Sequence, residues 1–238
     1  MLVVGFPAEA FGTNCYVLAA AAGQECLVVD PGIGVVDHLD DVLREQRLKP
    51  AAVLVTHGHL DHVFSVTPVC GARDIPAYVH GDDAYRLADP VSKLEAGLVA
   101  MLEREFGRKA ITEPDDVRRL RDGEVLMLAG LELTVDHAPG HTEGSVMFRL
   151  PGGDDAELCL SGDVLFAGSI GRTDLPGGDH AAMLRSLADK VLPLADDTVV
   201  LPGHGPSTTI GRERRSNPYL QGVAAASGHE RIAPRSSR

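Results

Sequence analysis

The sequence predicts an α+β fold in which two mixed β-sheets pack together with helices on the outside. Three observations carry this expectation. Pairs of short apolar segments recur as hairpins, turning at glycines. Strand–helix–strand units are interspersed with them. The strict strand–helix alternation of a doubly wound parallel sheet does not run through the chain, and no short repeat is visible.

The elements follow in order. Val3 to Phe6 reads as a short strand. Asn14 to Ala20 and Glu25 to Asp30 form a hairpin turning near Ala22-Gly23, and Asp30-Pro31-Gly32 ends its second strand. Val35 to Gln46 carries apolar residues at 35, 36, 39, 42 and 43, the spacing of an amphipathic helix. Ala51 to Thr56 is a continuous apolar run, as expected of a strand covered on both faces. His57 to His62 follows as a loop, with a helix starting near Asp61, whose carboxylate is placed to cap it. Pro76 to His80 is a further strand. Asp82 to Ala88 and Lys93 to Phe106 make residues 82–122 a mostly helical excursion, either a lid or a surface insertion without a role.

Glu124 to Leu128 and Leu131 to Asp136 form a hairpin about Ala129-Gly130. Ser145 to Leu150 and Glu157 to Ser161 form another about Pro151-Gly152-Gly153. Ala181 to Leu192 is an amphipathic helix, and Thr198 to Leu201 is a last strand feeding Pro202-Gly203-His204-Gly205. Residues 1–226 read as one domain, and 227–238 as a polar tail expected to be disordered.

The 238 residues suffice for one large domain with a substantial core. No apolar run approaches the ~20 residues of a membrane helix, and the N-terminus lacks the pattern of a signal peptide. The expectation is a cytoplasmic protein. The net charge of −12 argues against general nucleic-acid binding. Cys15, Cys26, Cys70 and Cys159 show no C-x-x-C pair and suggest neither a disulfide framework nor a zinc knuckle.

The densest chemical signal is Thr56-His57-Gly58-His59-Leu60-Asp61-His62. Residues two apart in an extended loop point the same way, so His57 and His59 can grip one ion as a pair. Asp61 and His62 lie where the chain turns into a helix and can face a neighbouring ion. His141, Asp163 and His204 each follow a predicted strand at a glycine turn. Taken singly, each of these three is equally compatible with a structural role. Together the seven exceed the roughly four ligands of one zinc and suit two cations about 3.5–4 Å apart that share a carboxylate. Nitrogen and oxygen donors without thiolate suit zinc, with iron(II) or manganese as alternatives. His38, His80, His137, His180 and His229 are read as non-ligands.

His-x-His-x-Asp-His with a downstream His, Asp and His resembles the metallo-β-lactamase superfamily over roughly residues 1–220. Asn14-Cys15-Tyr16-Val17 and Val28-Val29-Asp30-Pro31-Gly32 are similar to that family's opening strands. The resemblance implies an αββα sandwich. It also implies that His57, His59 and His141 bind a first metal, that Asp61, His62 and His204 bind a second, and that Asp163 bridges them. Leu165 to Asp179, Gly203 to Gly211 and Ser216 to Leu220 resemble the short bacterial type II glyoxalases, the hydroxyacylglutathione hydrolases. That branch implies hydrolysis of S-lactoylglutathione or a related 2-hydroxyacyl thioester by hydroxide generated at the metals, with Asp61 and Asp163 as the catalytic carboxylates.

The chain departs from the longer glyoxalases in two ways. Only 34 residues follow His204, so their helical glutathione-binding domain is missing. Arg172 and Asp174 stand where those enzymes carry a lysine and a tyrosine. Arg172 can pair with a substrate carboxylate, or with Asp174 alone. Asp163 stands where some true β-lactamases have a cysteine ligand, which points away from those enzymes. The expected partner is a small-molecule thioester, with neither nucleic acid nor membrane. The alternatives are a persulfide dioxygenase using a single iron and oxygen, a lactonase, and a metal-binding protein without catalysis.

Overall fold

The computed structural model describes residues 1–89, 91, 96–106, 112–152 and 156–226. The expected polar tail lies outside the described residues.

Two six-stranded mixed sheets form, in agreement with the expectation. The first contains β1 (Leu2–Pro7), β2 (Asn14–Ala19), β3 (Glu25–Val29), β4 (Lys49–Leu54), β5 (Ala77–His80) and β6 (Val117–Leu120), side by side in chain order. Its first three strands are antiparallel and the rest join in parallel. The second contains β7 (Val125–Leu128), β8 (Leu131–His137), β9 (Val146–Pro151), β10 (Glu157–Gly162), β11 (Val199–Pro202) and β12 (Thr208–Thr209). Only the β10–β11 pairing is parallel there.

Side-chain alternation along the strands divides the apolar residues into three layers. Tyr16, Leu18, Leu27, Val29 and Leu54 from the first sheet meet Leu133, Val135, Phe148 and Leu160 from the second, closing the sandwich. The opposite face of the first sheet, with Val17, Val28 and Val53, is covered by α1 (Val36–Gln46) and α3 (Val66–Gly71). The opposite face of the second, with Met147, Cys159 and Val200, is covered by α6 (His180–Ser186) and α8 (Pro218–Ala226). All four cysteines are buried and free of disulfides, consistent with the absence of a disulfide framework in their spacing.

Two details correct the sequence reading. The excursion 82–122 is not helical to its end: α4 (Ala84–Ala88) and α5 (Ala96–Phe106) are followed by β6, which extends the first sheet beyond β5. Its two arginines, Arg118 and Arg119, obscured the strand pattern, because both side chains of this edge strand are exposed. Asp61 does not cap α2 (Leu60–Val63); His59 is the cap residue and makes no side-chain bond. One more helix, α7 (Ile210–Ser216), carries Arg212, Arg214 and Arg215. Arg214 there is bound to the Leu192 and Leu194 carbonyls and to Asp196. No helix among the described residues is long and apolar enough to cross a membrane.

Candidate metal centre

Each of the seven histidines and aspartates leaves a strand at the same end of the sandwich. His57, His59, Asp61 and His62 follow β4. His141 follows β8, Asp163 follows β10, and His204 follows β11. Backbone bonds hold these loops in place: across the two sheets Val146 N–H donates to Thr56 O at 2.8 Å and Asn14 N–H to Gly203 O at 2.7 Å, and within the second sheet Gly203 N–H donates to Gly162 O at 2.8 Å. Gly203 has to be glycine, since a Cβ there would collide with Asp163 Oδ1 and the His62 ring.

The side chains converge as two triads. His57, His59 and His141 form one, and Asp61, His62 and His204 the other; within each, the donor atoms lie within 4.8 Å of one another and can hold a metal ion. In the first, His141 Nε2 is 3.1 Å from His57 Nε2 and 2.8 Å from His59 Nδ1. In the second, His204 Nε2 is 3.3 Å from His62 Nε2 and 3.2 Å from Asp61 Oδ2. Asp163 stands between them, with Oδ2 3.4 Å from His141 Nε2 and Oδ1 3.4 Å from His62 Nε2.

Partners behind the rings decide which nitrogens face the centre. His62 Nδ1–H donates to Asp30 Oδ2 at 2.9 Å, and His141 Nδ1–H to the Arg172 carbonyl at 2.7 Å. Thr56 Oγ1–H donates to Asp30 Oδ2 at 2.6 Å, so its oxygen accepts from His57 Nδ1–H at 3.2 Å. These bonds aim Nε2 of all three rings inward, the arrangement by which outer partners prepare imidazole ligands. Bare nitrogens 3.1 Å apart repel unless a cation sits between them. Asp163 Oδ1 adds to the same demand, because it is buried without a hydrogen-bond partner among the described residues. The donor set therefore fits metal ions.

The electrostatics of the triads differ. Burial, reinforced by the neighbouring rings, holds His57 well below its ordinary value and brings His59 down to about 3, with His141 the next cause. Burial also lowers His141. For His62, burial is outweighed by Asp61, Asp163 and Asp30, and its value rises to about 10. His204 is raised against burial by Asp61 and Asp163. Burial alone would raise Asp61, but His62, His204 and the Thr13 hydroxyl, 2.8 Å away, hold it below its usual range.

Two supporting carboxylates lie outside the seven. Asp30 is buried in a left-handed conformation and accepts from Thr56 N–H, the Thr56 hydroxyl and His62. Its place in the sequence is Val28-Val29-Asp30-Pro31-Gly32, a stretch similar to the family's opening strands but with nothing in it to assign the carboxylate a role. Asp83, fully buried at the foot of α4, accepts from Gly58 N–H (2.7 Å), Thr142 Oγ1 (2.7 Å) and Gly144 N–H (2.9 Å). It thus ties the loop of His57 and His59 to the loop of His141. Arg86, one turn on, reaches Glu143 and the Pro176 carbonyl.

Arg172 and Asp174 form a bidentate pair, both bonds 2.8 Å, with exposed side chains. The link from Arg172 to the centre is its carbonyl on His141, not its guanidinium. His180 opens α6 behind the cap residue Asp179, in keeping with a helix-start role.

Comparison with known proteins matches the description "Metallo-beta-lactamase superfamily" to residues 8–204, a span that contains all seven residues of the centre. Hydroxyacylglutathione hydrolase GloC of Haemophilus influenzae is 36% identical, covering 90% of this chain and 95% of that protein. The crystal structure of BLEG-1, described as a B3 metallo-beta-lactamase, is 38% identical with a TM-score of 0.77, covering 92% of this chain and 99% of that one. The structure of TTHA1623 in a di-iron-bound form is 37% identical with a TM-score of 0.74, covering 91% and 100%.

Proposed function

The chain belongs to the metallo-beta-lactamase superfamily, and from that premise we propose that it is a two-metal hydrolase of S-lactoylglutathione or a related 2-hydroxyacyl thioester. The observation that carries the reading is Asp163, buried between two triads with one oxygen turned to each. Similarity to GloC supports the thioester class.

In this reading His57, His59 and His141 hold one cation, Asp61, His62 and His204 the other, and Asp163 serves both. Zinc is the proposed metal; the di-iron form of TTHA1623 keeps iron as the alternative. Cations held by these residues would supply a nucleophile at neutral pH, since a divalent ion can lower the pKa of water from 15.7 to about 7. The remaining work falls to the chain itself. Asp30 and the Arg172 carbonyl keep the tautomers of His62 and His141 correct for binding. Asp83 keeps the two loops of the first triad in register. Thr13 donates to Asp61 and orients it toward His204. A thiolate leaving group, with a pKa near ~8.5 as the free thiol, departs without a dedicated acid. A thiol-carried substrate and four free cysteines suit a reducing cytoplasm.

A second reading, β-lactam hydrolysis, is favoured by the 38% identity to BLEG-1. One assay separates the possibilities: purified, metal-loaded protein is given S-lactoylglutathione, a chromogenic cephalosporin and glutathione persulfide, with and without oxygen. Thioester turnover that is fastest and unchanged under argon is expected. Higher kcat/KM on the cephalosporin, or oxygen uptake with the persulfide, would overturn the reading.

A further inference from the structure

A second histidine cluster lies outside the seven-residue centre. His80 is the last residue of β5 and His137 the last of β8, so the two sheets deliver one imidazole each to a common place. Their rings stack with centroids 3.9 Å apart and planes 12° apart. Asp82, two residues past His80, is exposed and brings Oδ2 to 3.7 Å from His80 Nδ1. One donor atom from each of the three lies within 4.8 Å of the others. We propose that His80, Asp82 and His137 form a third metal site, for a borderline divalent cation of the zinc type, sharing no ligand with the main centre.

The hydrogen bonds around the rings support the assignment. His137 Nε2–H donates to the Glu143 carbonyl at 2.8 Å, which leaves Nδ1 as the bare nitrogen. A ligand histidine characteristically donates its other N–H to a carbonyl in this way. His80 Nδ1 accepts only a long 3.3 Å bond from the Asp82 amide, so its lone pair also lies at Nδ1, on the side of the Asp82 carboxylate. A cation entering there displaces one weak contact, and the two rings turn out of their stack so that both in-plane lone pairs meet it. Burial and His137 hold His80 low, so it is unprotonated and ready to bind at neutral pH. The surroundings are acidic: Asp83 and Asp122 act on His80 as well as Asp82. Asp122 accepts from the His137 amide at 2.8 Å and pairs with Lys190.

Two imidazoles, one carboxylate and a water complete a four-coordinate zinc shell. The same set disfavours magnesium and calcium, which take oxygen donors. Exposure of Asp82 leaves the ion a path from solvent. Sequence reading could not have paired His80 with His137, because 57 residues separate them and neither lies in a motif.

Zinc titration of the full chain against a chromogenic chelator tests the site. The wild type is expected to bind one equivalent more than His137→Ala, and magnesium is expected not to displace it. Asp82→Ala changes only an exposed side chain and so guards against misfolding. It should weaken that one equivalent by at least the ~10–100-fold that an outer-shell partner is worth, since a ligand is lost. Both variants should keep the tighter equivalents. Equal zinc stoichiometry and affinity in wild type and both variants would overturn the proposal, whatever the substrate of the main centre proves to be.

Discussion

The two triads of the main centre are built from the same kind of side chain and behave oppositely. His57 and His59 are pushed far toward neutrality by burial and by the imidazoles around them; His62 and His204 are drawn toward the charged form, against burial, by the carboxylates beside them. The first triad is thus ready for a cation at neutral pH. The second holds a proton in the cation's place and must release it on binding. A shared ligand chemistry does not make two sites equivalent, because neighbouring charge sets the state in which each waits. The outer supports differ correspondingly: Asp83 holds the loops of the first triad, and Asp30 holds His62 of the second directly, reaching His57 of the first only through Thr56.

The largest effect is expected where the distinction disappears. Asp163→Ala removes the one carboxylate that faces both triads. Its cost in kcat should exceed the ~10²–10³ of removing a single oxyanion-hole donor, with metal content falling at both sites. Elemental analysis and a thioester assay read this directly. A variant that retains both metals and full hydrolysis would remove Asp163 from its bridging place.

The outer carboxylates should separate the triads. Outer-shell substitutions typically cost 10–100-fold in metal affinity, so about that loss is expected here. With Asp83→Asn it should fall on the first triad; with Asp30→Asn, mainly on the second, because Asp30 touches His62 directly and His57 only through Thr56. A two-step metal titration resolves the pair. If both variants weaken the same step, the proposed division of support is wrong.

Acidity should distinguish the triads in chelator-stripped protein. His59 titrates near 6.5 when unfolded and at about 3 when folded. Below pH 6.5 the unfolded chain therefore binds the extra proton, and stability falls as pH drops toward 3. His62 runs the other way. Its contribution is complete below 6.5 and is lost as pH rises through about 10. Melting temperature against pH should fall on both flanks, with His59→Gln relieving the acid flank and His62→Gln the alkaline one. A flat profile in stripped protein would show that the rings lack the surroundings described.

Much of this was legible before folding. The seven residues of the centre announce themselves by density and by glycine turns after strands, because metal ligands must leave rigid strands at one end. The sandwich was legible for a similar reason, since period-two patterns and hairpin glycines are local signals. Asp83 was not, as a lone buried carboxylate has no pattern and its three donors come from loops 25 to 61 residues away. Strand β6 was hidden because its pairing with β5, rather than an apolar face, makes it a strand. The opposite shifts of His59 and His62 were hidden too, since they depend on which charges come to rest beside each ring.

The smallest effect is expected at Arg172. Its guanidinium is already paired with Asp174 in solvent, where such pairs contribute little. What the centre uses is the Arg172 carbonyl, which every residue type supplies. Arg172→Ala should therefore leave metal content and melting temperature unchanged, because the bond to His141 survives. A substrate carboxylate would have to draw the guanidinium away from Asp174 before using it, so only a small rise in KM for carboxylate-bearing thioesters is expected, with kcat unmoved. A large loss of kcat in Arg172→Ala would place the guanidinium at the reacting atoms and end the distinction between its side chain and its carbonyl.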